Sequence, residues 1–140
     1  MLDPDLLKAY EQTNYWCSGI GKNDDFVLNI NEPQPELKVV YEIYSLSCAA
    51  FLTACNPYSM VLSDQENENL QNQLIRKLES KGFSCLAGEG RARSGGWKSE
   101  PSVLVPGLSQ EDACSFGREF QQNAIVWVGP DFIPKLLVLV

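Results

Sequence analysis

The sequence predicts an α+β domain on a ferredoxin-like split βαβ core (βαββαβ) with an antiparallel sheet, extended by an N-terminal hairpin and helices and by a C-terminal strand. Two observations carry that prediction. From residue 48 to residue 128, apolar runs of strand length and two capped, helically periodic segments follow in the order strand, helix, strand, strand, helix, strand. Length and composition agree with it, because 140 residues with 44% hydrophobic and 21% charged side chains make one globular domain. No repeat, low-complexity tract or linker divides the chain, so residues 1–140 are read as a single domain with its signature core at about 48–128.

Each element has a local cause. Asp3 before Pro4 has the form of an N-cap followed by proline at the first helical position, and Leu6, Leu7 and Tyr10 give a short apolar stripe. Residues 14–18 and 26–30 read as a hairpin around Gly19, Gly21, Asn23 and Asp24, with Phe26, Leu28 and Ile30 alternating. After Pro33 and Pro35, the spacing of Leu37, Val40, Tyr41 and Tyr44 predicts a second short helix. Residues 48–54 are apolar apart from Thr53, as a central strand requires, and Asn56-Pro57 stops them.

Ser63 and Glu66 form a capping box, Leu70, Leu74 and Leu78 share a face, and Arg76, Lys77 and Lys81 precede Gly82, all of which predict a helix between them. Residues 83–87 read as a strand, 88–99 as a glycine-rich loop or irregular hairpin, and 102–105 as a strand ended by Pro106-Gly107. Ser109 and Asp112 begin a second capped helix with Ala113, Phe116 and Phe120 inward and with Leu108 and Ala113 as a hydrophobic staple; it ends near Gln121. Residues 124–128 and 135–140 are the last two strands.

Charge and composition exclude several functions. Eighteen acidic and eleven basic residues give a net charge of −7, which repels phosphate backbones and anionic lipid, so neither nucleic acid nor a membrane is an expected partner. With no histidine, the chain lacks Ser-His-Asp and Cys-His nucleophile arrangements and His-bearing zinc sites. Its five cysteines contain no C-x-x-C pair and suit neither a disulfide framework nor a four-thiolate metal site. They read as reduced, mostly buried side chains, and no metal or cofactor is predicted. Acids stand where a secretion signal would carry cations, and no apolar run approaches the ~20 residues that span a bilayer, so a cytoplasmic location is expected.

In a split βαβ arrangement, the ends of the first two core strands and the starts of the last two lie at one edge of the sheet. That gathers Thr53, Asn56 and Ser59 from the first turn, Asn67 from the helix, Glu89, Arg91 and Trp97 from the glycine-rich segment, Glu100 and Ser102, and Gln122 and Asn123. A few polar groups converging in an apolar setting are how small-ligand sites are built. Each also has a structural reading: Asn-Pro starts turns, Gln and Asn cap helix ends, and the charges of a glycine-rich hairpin can be solvated. Arg91 and Arg93 in a glycine-rich setting suit phosphate or carboxylate, and Trp97 suits a ring. Glu89 and Glu100 could work as an acid/base pair or hold a divalent cation, unless they pair with Arg91 or Arg93. Cys55, near a helix N-terminus, is a nucleophile candidate with no histidine to activate it.

Phe51 to Pro57, Leu62-Ser63 with Asn67, Gly88-Glu89-Gly90 with Trp97, Glu100-Pro101-Ser102 and Gln122 to Trp127, in that order, resemble a family of small bacterial proteins known as domain of unknown function 3293. The resemblance runs from about residue 14 to residue 128. It implies a stand-alone cytosolic domain whose signature residues are largely the polar ones at the sheet edge, and it supplies no reaction. The chain departs from the family form at Phe120-Gln121, where that form has glycine.

The expected function is therefore a binding or sensing domain for a small polar or anionic ligand, leaning away from an enzyme. The alternatives are an enzyme using Glu89 or Glu100 as acid/base and an interaction module using the sheet edge or the apolar residues 136–140. No oligomeric state is predicted.

Overall fold

A computed structural model describes residues 2–19 and 24–140. The elements are α1 (Pro4–Glu11), β1 (Thr13–Cys17), β2 (Phe26–Leu28), α2 (Leu37–Tyr44), β3 (Ala49–Leu52), a 3-10 turn (Pro57–Ser59), α3 (Asp64–Ser80), β4 (Leu86–Ala92), β5 (Glu100–Pro106), α4 (Gln110–Glu119), β6 (Ala124–Val128) and β7 (Pro134–Val138). The strands form one seven-stranded sheet in the order β2-β1-β4-β5-β3-β6-β7. Every neighbouring pair is antiparallel. The described residues form a mixed α/β domain with one antiparallel sheet and four helices.

The helix starts follow their caps. Asp3 Oδ1 accepts from the Asp5 amide at 2.8 Å, Ser63 Oγ from Glu66 at 3.1 Å and Ser109 Oγ from Asp112 at 3.1 Å, each satisfying an amide that the helix itself leaves unpaired. Glu66 completes the capping box of α3 by reaching back to the Ser63 amide. α2 has no such cap; its stability comes from burying Leu37, Val40 and Tyr41.

Strand alternation splits the core between two faces. Tyr15, Cys17, Phe51, Leu104, Val126 and Val128 pack with Leu37, Val40 and Tyr41 of α2 on one face. Ala50, Leu52, Val103, Val105 and Ile125 pack with Leu74 and Leu78 of α3 and Ala113 and Phe116 of α4 on the other. Each fully buried Leu or Val contributes about 1.5–3 kcal/mol over its exposed state. The sheet curls, so that Tyr15 on β1 meets Phe51 on β3 edge-on at 5.3 Å, across two intervening strands. Gly88 permits this: a Cβ there would lie 2.8 Å from the Phe51 ring.

The sequence-derived boundaries differ most around β4. Residues 83–85 lie outside any strand, and β4 instead runs through Gly88 and Gly90 to Ala92, where a glycine-rich loop is expected from sequence. Both glycines are strand positions, not turn positions, and Gly88 lies beneath the Phe51 ring. β5 likewise starts at Glu100, two residues early, and the last strand is Pro134–Val138 rather than 135–140. The expected extension of the sheet takes place on both sides, with the β1–β2 hairpin beside β4 and β7 beside β6. Of the turn assigned to that hairpin, Gly21 and Asn23 lie outside the described residues. No helix among the described residues is long and apolar enough to cross a membrane.

Candidate functional site

The register fixes which end of the sheet is open. β3 begins opposite the end of β5 and the end of β6, with Ala49 facing both Pro106 and Val128. The other end therefore brings together the end of β3, the end of β4 and the starts of β5 and β6. On the face shared with Tyr15, α2 covers the first of these ends, where Tyr41 Oη donates to the carbonyls of Val128 (3.2 Å) and Gly129 (3.0 Å). The second end is left to α1, which has no fully buried residue.

α1 is tied down at its C-terminal end. Thr13 Oγ1 donates to Ala9 O at 2.7 Å and Tyr15 Oη to Tyr10 O at 2.6 Å. Leu6, Ala9 and Tyr10 face an unfilled space whose floor is Tyr15, Phe51, Gly88, Gly90, Ser102, Ala124 and Val126, with Trp97 and Val61 at its margin. The space measures about 1390 Å³ and continues around the end of the sheet along α3, past Gln71, Asn72 and Ile75. Alternation separates its two parts, because Gly88 and Gly90 lie on the α1 side and Ala87 and Glu89 on the α3 side.

Asn56 organises the polar end of this space. Its backbone is left-handed, with φ 47° and ψ 64°. Its Oδ1 accepts from the Leu62 amide and from Asn67 Nδ2, both at 2.9 Å, which orients Nδ2 toward Glu100 Oε2, also at 2.9 Å. Asn67 Oδ1 accepts from the Asn56 amide at 2.8 Å. Burial pushes the Glu100 carboxyl above the ordinary glutamate range, opposed by the hydrogen bond from Asn56. Ser102 Oγ donates to Glu100 O at 3.1 Å.

Thr53 donates to Pro101 O at 2.8 Å and accepts from the Cys55 amide at 3.1 Å. Beside it, Gln71 Oε1 accepts from the Ala54 amide at 2.8 Å, which leaves Gln71 Nε2 buried without a partner among the described residues. Flipping the amide would set two donors against each other at Ala54, so the orphan donor is a property of the site. Ser59 accepts from Asn123 Nδ2 at 2.9 Å and lies 3.3 Å from Tyr10 Oη, linking α1 to the start of β6. Gln122 Nε2 donates to Cys55 O at 3.1 Å and to Phe120 O at 3.2 Å, so it holds the turn together.

Thr53, Asn56, Ser59, Asn67, Glu89, Trp97, Glu100, Ser102 and Gln122 all border the space; Arg91 and Asn123 do not. Two expectations are corrected. Arg91 lies on the face opposite Gly90, stacked 4.7 Å over Trp16 and paired with Glu89 at 2.5 Å, so it is not available to an anion beside Glu100. Glu89 pairs with Pro101 and Gly90 with Glu100 across the β4–β5 ladder, which sends the two carboxylates to opposite faces and removes them as an acid/base or metal-binding pair. Cys55 is also a poor nucleophile: it is 1% exposed, its thiol donates to Pro101 O at 3.6 Å, and burial raises its pKa. The sequence reading omits Gln71, Tyr10 and Tyr15 from the site.

Fold and site together define a small α/β domain with an unfilled, polar-ended pocket between its first helix and its sheet. The chain belongs to the family described as protein of unknown function (DUF3293), whose model matches residues 52–125. That span runs from the end of β3 into β6 and contains every polar residue singled out from the sequence, while α1 and β1, which close the pocket, lie outside it. No curated protein and no solved structure matches the chain.

Proposed function

We propose that this protein is a binding or sensing domain for a small polar molecule held between α1 and the end of the sheet. The observation that carries the reading is Glu100: a carboxylate at the polar end of an unfilled space, oriented by Asn56, with its second oxygen unused by any described side chain. A half-buried carboxylate costs stability unless something satisfies it, so a site that keeps one is a candidate for recognition. The apolar floor and the helix above it, which buries nothing fully, supply the area a ligand would cover. We also read β3-α3-β4-β5-α4-β6 as a ferredoxin-like core. The order β4-β5-β3-β6 and the packing of α3 and α4 on one face support that reading.

The test is a thermal-shift screen against nucleotides, sugar phosphates, amino acids and amines, run on the wild type and on Gly90→Met. A Cβ at Gly90 meets Thr13 and Trp97 only at 3.8 and 4.0 Å, so the longer side chain extends into the space. Ligand at ~100 times its dissociation constant adds about 2.7 kcal/mol, which is a shift of several degrees. A shift seen in the wild type and lost in Gly90→Met supports the reading. Shifts equal in both proteins, or none across the screen, contradict it.

A further inference from the structure

The charges around the pocket are lopsided. Asp64, Glu68, Glu79, Glu89 and Glu100 border it, and Lys98 is the one bordering cation among the described residues. Lys98 lies at the rim, exposed and paired with Asp64 at 2.6 Å. Arg91 is held by Glu89 on the other face, and Arg93 is an exposed residue of the turn after β4 that does not border the space. Among the described residues Glu100 therefore has an amide donor and no cation paired with it. A second, independent feature lies at the same end of the sheet. Gln71 is 5% exposed and its Nε2 has no partner among the described residues, and its Oε1 is 3.5 Å from the hydroxyl of Thr53, which in turn donates to the carbonyl of Pro101, the residue after Glu100. Buried donors are almost always satisfied, and the residue that carries this one lines the same space.

From these two features we infer that the ligand is a small cationic amine that also carries an oxygen acceptor and an apolar body: the amine binds Glu100, the oxygen takes the Gln71 amide, and the body lies against Phe51 and Val126 under α1. This rests on the pocket reading above and narrows it from any polar molecule to a cation, against the anionic ligand suggested by the arginines in the sequence. A carboxylate or phosphate under α1 would meet Glu100, and among the described residues the one cation bordering the space, Lys98, is already paired with Asp64. An amine makes a charge-assisted hydrogen bond in a partly desolvated place, where it is strongest.

Three probes of similar shape separate charge from fit: L-phenylalaninol, 3-phenylpropan-1-ol and 3-phenylpropionate, titrated into the labelled protein while amide chemical shifts are followed. Phenylalaninol is expected to shift Gly88, Gly90, Ser102 and Ala124 and to bind at least ~10-fold more tightly than the alcohol lacking the amine, as one charge-assisted bond requires. The propionate should leave those amides unmoved. Glu100→Gln, which can still accept from Asn56, should bind phenylalaninol and the alcohol equally, and Gln71→Leu should weaken phenylalaninol binding with the Glu100 preference intact. Equal binding of the alcohol or the propionate in the wild type overturns the charge assignment while the pocket reading stands. No response from any of the three overturns this inference, whereas the pocket itself stands or falls with the Gly90→Met screen.

Discussion

Replacing Asn56 by alanine tests how the site is held. The substitution removes three side-chain hydrogen bonds, the two accepted by Oδ1 from Leu62 and Asn67 and the one donated to Glu100, each 2.9 Å long. At ~0.5–1.5 kcal/mol each these are worth about 3 kcal/mol. The backbone adds to this, because φ 47° is a left-handed conformation that costs an alanine ~1 kcal/mol more than glycine. The expected loss is about 4 kcal/mol, or roughly 10–15 °C in Tm for a domain of this length. Urea melts of wild type, Asn56→Ala and Asn56→Gly measure it. Glycine should recover about 1 kcal/mol of the loss, since it removes the strain and none of the missing bonds. A loss below ~1 kcal/mol for alanine, or no difference between alanine and glycine, would refute the view that Asn56 organises this end of the sheet.

Glu100→Gln should stabilise the unliganded protein at neutral pH. The folded carboxyl has a pKa above the ordinary 4.5, so between the two values the native state holds more protons than the unfolded one, and stability falls as pH rises through that window. The variant escapes this cost, so its Tm should exceed that of the wild type at pH 7 and converge with it below about 4.5; a lower Tm at pH 7 counts against the burial of the charge. Gly88→Ala, whose Cβ would sit 2.8 Å from both Phe51 and the Trp16 carbonyl, should cost about 1–3 kcal/mol, whereas Gly90→Ala, with contacts no closer than 3.8 Å, should be neutral or slightly stabilising; both are read from denaturant midpoints. Cys55 should react with a thiol reagent at pH 8 only as fast as the protein unfolds, given its burial and raised pKa, and rapid labelling of the native state would contradict its placement.

The helices were largely legible because their ends are encoded locally. The Ser63 to Glu66 box and the Leu70, Leu74, Leu78 stripe place α3 without any tertiary information. β6 was legible as a bounded apolar run and coincides with Ala124–Val128. β4 was not, because Gly88 and Gly90 signal a turn in isolation, and the role of Gly88 shows only once Phe51 lies across it. Without that strand there was no β4–β5 register, and without the register nothing told Glu89 and Arg91 apart from Glu100 as to face. Gln71 sits in a polar stretch of α3 where a glutamine reads as solvent-facing; only its bond to Ala54 shows that it is buried. Gln121 is left-handed, φ 56°, a conformation that suits the glycine which the resemblance leads one to expect at this turn.

The most direct test is a crystal structure of the protein with the compound that gives the largest thermal shift. Density for that compound is expected between α1 and the sheet, with a donor on Glu100, contact to Gly90 and Ser102, and α1 closed over it. Density at any other place, such as the exposed Val39 and Ile43 of α2, with the space beneath α1 unfilled, would contradict it.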